Sequence, residues 1–88
     1  AQRQRAAREL AGEVDAMIVV GGHNSGNTNR LAEICREANA NVHHIETPEE
    51  LDPAWFEGVA VVGVTAGAST PSDQIARVVA AIEALADA

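Results

Sequence analysis

Two continuous apolar runs, each leading through a glycine-bearing loop into an amphipathic stretch, constrain this chain of 88 residues more than any other feature. The first is Ala16-Met17-Ile18-Val19-Val20, which stops at Gly21-Gly22. The second is Val59-Ala60-Val61-Val62-Gly63-Val64, followed by Thr65-Ala66-Gly67. Short uninterrupted apolar runs between helical segments are how strands of a buried parallel sheet read, because both of their faces are covered. A third, shorter strand fits Asn41-Val42-His43-His44-Ile45.

The segments between these runs have helical spacing. Residues 3–12 carry Ala6, Ala7, Leu10 and Ala11, and Leu31, Ile34, Cys35 and Ala38 follow at i, i+3, i+4 and i+7 on a helix that begins near Ser25 to Thr28. Thr47-Pro48-Glu49-Glu50 and Thr70-Pro71-Ser72-Asp73 are both capped, proline-led helix starts. The first opens a brief helix that Pro53 interrupts, and the second a closing helix lined by Ile75, Val78, Val79, Ile82 and Leu85. The order is helix, strand, helix, strand, short helix, strand, helix. Right-handed crossovers then give an α/β, three-layer sandwich with a short parallel sheet of about three strands, order 2-1-3, and helices on both faces. No repeat, linker or low-complexity tract divides it, so residues 1–88 are expected to form a single domain.

Composition narrows what such a domain can do. A formal charge of -7 argues against a nucleic-acid surface, since that affinity comes largely from Lys and Arg neutralising phosphates. No apolar run approaches the length of a membrane span, and the amino terminus lacks the apolar stretch of a signal peptide, so the expected location is cytoplasmic. One cysteine excludes an internal disulfide and, within these residues, any multi-thiolate metal or cluster site. Cys35 lies in the apolar stripe and reads as a small core hydrophobe. His43 and His44, adjacent on a strand, point to opposite faces and lack a partner at metal spacing. Trp55 and Phe56 read as packing the short helix onto the sheet.

The candidate site comprises two loops, Gly21-Gly22-His23-Asn24-Ser25-Gly26-Asn27-Thr28 and Thr65-Ala66-Gly67-Ala68-Ser69-Thr70. Each joins the carboxyl end of a strand to a helix amino terminus. With strands one and three side by side, the two loops face each other at the point where strand order reverses, which is where ligands bind in open α/β sheets. Glycines admit close backbone approach, and helix-start N–H groups and short hydroxyl or amide side chains supply donors for an anion. Neither loop has Lys or Arg before Arg30, so a small, compact anion held by neutral dipoles is the expected ligand. His23 can add a donor or be an ordinary loop histidine, and Ser25, Thr28, Ser69 and Thr70 can equally be plain helix caps. The nucleoside-triphosphate Gly-Lys-Ser/Thr pattern and the dinucleotide glycine spacing are both absent.

These loops carry a family resemblance. Val20 to Leu31 resembles the Gly-x-x-Asn-Ser-x-Asn-Ser/Thr-x-Arg-Leu segment of the LytB/IspH family of 4-hydroxy-3-methylbut-2-enyl diphosphate reductases, and Val62 to Pro71 is similar to that family's Gly-Val-Thr-Ala-Gly-Ala-Ser-x-Pro segment. The resemblance runs over essentially the whole chain, and implies most of the carboxyl-terminal domain of a three-domain reductase. It implies that Ser25, Gly26, Asn27 and Ser69 bind the substrate's diphosphate; Gly26 stands where the family often has a second serine and contributes only its backbone N–H. It further implies reduction of hydroxymethylbutenyl diphosphate to isopentenyl and dimethylallyl diphosphate, the last step of the non-mevalonate isoprenoid route. The expected cofactor is a [4Fe-4S] cluster on three cysteines, none of them in this chain, and the expected partners are the remainder of the reductase and an external electron donor of ferredoxin or flavodoxin type. Ala1-Gln2-Arg3-Gln4 looks like the end of the family's Cys-Tyr-Ala-Thr-x-Asn-Arg-Gln segment. No catalytic residue and no metal ligand are expected in residues 1–88, which alone should bind weakly and reduce nothing. Two other readings of the residues stay open, a stand-alone flavodoxin-like module for a phosphorylated metabolite and a non-catalytic structural piece.

Overall fold

The computed structural model describes residues 2–86, and their side chains from Gln4 onward; Ala1, where the expected amino-terminal motif match begins, lies outside them. The elements are α1 (Gln2–Glu13), β1 (Ala16–Val20), α2 (Gly26–Ala38), β2 (Val42–Ile45), β3 (Val62–Ala66) and α3 (Ser72–Ala86), with 3-10 turns at Pro48–Glu50 and Pro53–Phe56 between β2 and β3. The sheet is parallel throughout, in the order β2-β1-β3. Central β1 is apolar at every position and every one of its residues is buried, as the uninterrupted run predicts.

Strand alternation divides the core in two. On one face Met17 and Val19 pack with Ala7 and Ala11 of α1, Leu31, Ala32 and Cys35 of α2, and Val42. On the other Ile18 and Val20 pack with Ile45, Ala66 and Val78, flanked by Ile75 and Ile82 of α3 and by Leu51, Trp55 and Phe56 from the two short turns. Each fully buried Ile, Val or Met side chain contributes about 1.5–3 kcal/mol. Truncating Ile18, which has no exposure at all, to alanine should therefore cost about 2–5 kcal/mol. Small residues let the layers approach: a Cβ on Gly63 would lie 2.8 Å from Met17 Sδ and 3.2 Å from Val14.

Several expectations are corrected. The third strand covers Val62–Ala66 rather than beginning at Val59, because its register pairs Ala16 with Val62 and Val20 with Ala66. Nor is it covered on both faces, since Val62, Val64 and Thr65 are half-buried on the sheet's edge, and Val61, ahead of the strand, is exposed. On α2 the stripe turns away from Ala38, which is exposed, and includes Ala32. Ala6 on α1 is exposed as well. The single brief helix expected after Thr47 is two 3-10 turns, each opening with a proline.

The amino-terminal rim of the sheet is held by side chains that satisfy loop backbone. Asn39 Nδ2 donates to the carbonyls of Ala11 and Val14, both at 2.9 Å. Asn41 Nδ2 reaches those of Asp15 and Trp55. The Asp15 carboxylate accepts the N–H groups of Ala60 and Val61 at 3.0 Å.

Candidate anion site at the carboxyl rim

At the opposite rim β1 and β3 release the two glycine loops. Val20 O accepts the Gly67 N–H at 3.0 Å and the Thr70 hydroxyl at 3.2 Å, so the second loop is pinned to the end of β1. Thr70 spends its hydroxyl on that tie rather than on capping α3. The turn closes with Thr70 N donating to Gly67 O at 3.0 Å, leaving Ala68 and Ser69 exposed at its tip.

Thr28 sets how closely the loops approach. It is the one buried polar residue of the described core, 1% exposed, and its side chain lies between the backbones of Gly21 and Gly67. A methyl on Gly21 would fall 2.5 Å from Thr28 Oγ1 and 2.6 Å from its Cγ2, and one on Gly67 would strike the same hydroxyl. Both positions require glycine because a threonine on α2 fills the space between them. Sequence reasoning treated Thr28 as a possible cap; it is a spacer instead.

Ser25 is the N-cap of α2. Its Oγ accepts the Thr28 N–H at 3.2 Å and the Thr28 hydroxyl at 3.1 Å, which leaves its own hydrogen to donate outward. The cap expectation and the ligand expectation are therefore compatible at this residue. Gly26 and Asn27 follow in the first turn, both exposed, and N–H groups there have no intrahelical acceptor. No acidic residue stands in the first turn of α2, so its positive end is uncompensated, whereas α3 carries Asp73. A Cβ on Gly26 would have nothing within 4 Å.

His23 is more heavily engaged than its sequence position suggests. Its Nε2 lies 2.5 Å from Glu50 Oε1, its backbone N–H donates to Glu46 Oε1 at 3.0 Å, and its carbonyl accepts Asn29 Nδ2 at 3.1 Å. Its ring packs against His44 with centroids 4.8 Å apart, and His44 Nε2 in turn lies 3.0 Å from Gly21 O. Glu50 Oε2 also accepts the N–H groups of Glu46 and Thr47, each at 2.8 Å. Burial disfavours its charge, but these hydrogen bonds together with the His23 ring outweigh burial and hold the Glu50 carboxyl below its ordinary value. On the far side of the strand His43 stacks flat on Trp55 at 3.9 Å, so Trp55 packs its turn onto the sheet through that ring.

The donor set does not fit an iron-sulfur cluster. Cys35 is fully buried between α1 and the sheet, its thiol directed at Ala7 O, and burial pushes its pKa up despite the nearby Arg36. Among the described residues no group of three or more His, Cys, Asp or Glu can hold a metal ion, and no helix is long and apolar enough to cross a membrane.

Known proteins are similar to this chain in sequence and fold. The 4-hydroxy-3-methylbut-2-enyl diphosphate reductase of Pelobacter propionicus is 69% identical over 71 residues, covering 81% of this chain and 25% of that protein. The protein of the same name from Geotalea daltonii is 56% identical over 86 residues, covering 98% of this chain and 30% of its own length. This chain thus spans between a quarter and a third of the curated relatives it matches. A solved structure of (E)-4-hydroxy-3-methyl-but-2-enyl diphosphate reductase, the terminal enzyme of the non-mevalonate pathway, superposes over 93% of the chain with a TM-score of 0.91 at 55% identity, covering 29% of that protein. The Plasmodium falciparum reductase structure gives a TM-score of 0.76 at 29% identity over 89% of this chain and 24% of its own. The family model described as LytB protein matches residues 1–83, which include both glycine loops and the Thr28 that separates them, and the chain belongs to the LytB family.

Proposed function

We propose that residues 1–88 are the diphosphate-anchoring part of a cytoplasmic 4-hydroxy-3-methylbut-2-enyl diphosphate reductase, equivalent to most of its carboxyl-terminal domain. The whole enzyme converts hydroxymethylbutenyl diphosphate to isopentenyl and dimethylallyl diphosphate. The observation that carries this reading is Thr28 wedged between Gly21 and Gly67, which brings two donor-bearing loops side by side at the strand-order reversal. Ser25 and Ser69 donate their hydroxyls to the diphosphate, Asn27 its side-chain amide, and Gly26 its backbone N–H. The amino terminus of α2 adds its uncompensated positive end. No residue of this segment performs the reduction. A [4Fe-4S] cluster on cysteines outside these residues, fed by a ferredoxin- or flavodoxin-type donor, supplies the electrons.

The test is a graft. Residues 1–88 replace the corresponding quarter of the Pelobacter propionicus reductase, and reductase activity is assayed. An active chimera supports the reading, and a folded, cluster-loaded but inactive chimera refutes it. In the active chimera, Ser25→Ala with Ser69→Ala removes two hydrogen bonds to a charged group, so KM should rise by roughly a hundredfold or more. Loss of the Ser25 cap should cost only about 1 kcal/mol of stability. An unchanged KM would dismiss both serines as ligands.

A further inference from the structure

The β2–β3 connection is more than a link between strands. Glu46 bonds to the first loop and to α3: its carboxylate accepts the His23 N–H, and its backbone carbonyl accepts Gln74 Nε2 from the first turn of α3, which follows the second loop. Glu50 holds this bracket in shape. One of its carboxylate oxygens takes the N–H groups of Glu46 and Thr47, and the other pairs with the His23 ring. The side chain of Glu50 is about one-third exposed and that of His23 one-half, so the pair lies at the surface beside the site rather than in the core.

Residue 23 stands two positions before Ser25, and its backbone N–H, its carbonyl and one ring nitrogen are all engaged. Its N–H goes to Glu46, its carbonyl to Asn29, and one ring nitrogen to Glu50, while the ring rests on His44. A loop needed only as a turn has no use for four restraints at one exposed position. A diphosphate, by contrast, has two phosphoryl groups at a fixed separation. Donors on two different loops serve it together only if their separation is also fixed.

We propose that Glu50, acting through His23 and Glu46, is a positioning residue that holds the first loop in a fixed orientation toward α3, at the approach Thr28 sets, for a ligand with two linked phosphates. The proposal rests on the diphosphate reading above. Glu50 touches no ligand atom; it ties the loop bearing Ser25, through Glu46 and Gln74, to the helix that follows the loop bearing Ser69.

The experiment titrates the 88-residue chain with inorganic pyrophosphate and, separately, with inorganic orthophosphate, following backbone amide resonances of residues 22–28 and 67–71. It compares the wild type with Glu50→Gln, His23→Asn, the double variant and Gln74→Leu. Pyrophosphate affinity should fall roughly tenfold in Glu50→Gln, as expected for losing a charge-assisted hydrogen bond that organises the site. His23→Asn should match it, and the double variant should be no worse than either, because both cut one linkage. Gln74→Leu, which opens the bracket from the other side, should also weaken pyrophosphate. Orthophosphate, which needs only one loop, should bind all variants within about twofold of wild type. Equal weakening of both ligands would reduce Glu50 to a general stabiliser and overturn the proposal, as would unchanged pyrophosphate affinity in Glu50→Gln or additive losses in the double variant. A folded wild-type chain that binds no pyrophosphate would defeat the diphosphate reading itself, and this proposal with it.

Discussion

Replacing Gly21 with alanine tests whether Thr28 is the spacer between the two loops. The added methyl falls 2.5 Å from Thr28 Oγ1, 2.6 Å from Cγ2 and 3.1 Å from Cβ. None of these atoms can yield easily, because Thr28 is β-branched, helical and buried, with its hydroxyl bonded to Ser25. The loop must move instead, against the Gly21 N–H bond to Ile45 O and the His44 bond to Gly21 O. Overpacking of this kind costs about 1–3 kcal/mol, and two contacts well inside van der Waals distance place this case near the upper end. With an unfolding entropy of about 2.1 cal/mol/K per residue, a loss of 2–3 kcal/mol in a chain of this length lowers Tm by roughly 10–15 °C. Thermal unfolding followed by circular dichroism measures it. Adding Thr28→Ala removes the two closest atoms, so the double variant should be more stable than the sum of the single losses by about 1 kcal/mol or more. A Gly21→Ala chain melting within a few degrees of wild type, or strict additivity in the double variant, would refute the spacer role. Gly67→Ala should behave alike, since its methyl meets the same hydroxyl.

Gly26→Ser has open space for its side chain and adds a hydroxyl at the first turn of α2, so pyrophosphate should bind roughly three- to tenfold more tightly, the worth of one hydrogen bond; unchanged affinity by calorimetry would place the anion elsewhere. His43 titrates below its ordinary 6.5, chiefly through burial, aided by Arg36 and opposed by Asp52. A depressed histidine stabilises the fold fully above 6.5 and loses that contribution as pH falls through the lowered value, so urea midpoints should drop from pH 7.5 to pH 5.5, and less steeply in His43→Phe. Equal slopes in the two chains would contradict this. Cys35 should resist thiol reagents in the native state by a factor of roughly a hundred or more relative to the chain in denaturant, and comparable labelling rates would show that α1 does not cover it.

The sheet was legible because its centre is apolar on both faces, and burial of that kind leaves an unbroken run that needs no partner to be recognised. Its edge was not. Residues 59–61 are as apolar as a strand, yet the register against β1 starts the third strand at Val62 and leaves Val61 half exposed. At a sheet edge a hydrophobic run reports neither burial nor hydrogen-bond register, and here the run and the strand begin three residues apart. On α2 the stripe through Leu31 and Cys35 was correct, but Ala38, the last residue of the helix, is exposed, and alanine is too small to reveal which way it faces. The two glycine loops were readable as strand-to-helix turns on one rim of the sheet. What aligns them was not, because Thr28 resembles any helix cap and the Glu50–His23 pair joins residues 27 positions apart. A single sequence carries no mark of such a pairing.

Both rims of the sheet bond polar side chains to backbone, but the carboxyl rim also leaves some exposed, which bears on how the protein can change. At one rim Asn39, Asn41 and Asp15 direct their polar atoms inward to the backbone. At the other Asn27 and Ser69 are exposed to solvent. On the proposed reading, Asn27 and Ser69 would serve recognition without a share in holding the fold. A lineage can rewrite the solvent-facing rim, exchanging a glycine for a serine or an asparagine for a lysine, while the amide-bonded rim keeps the chain in shape. Variation gathered at residues 26, 27, 68 and 69 would then register as altered ligand preference, and variation at residues 15, 39 and 41 as altered yield of folded protein.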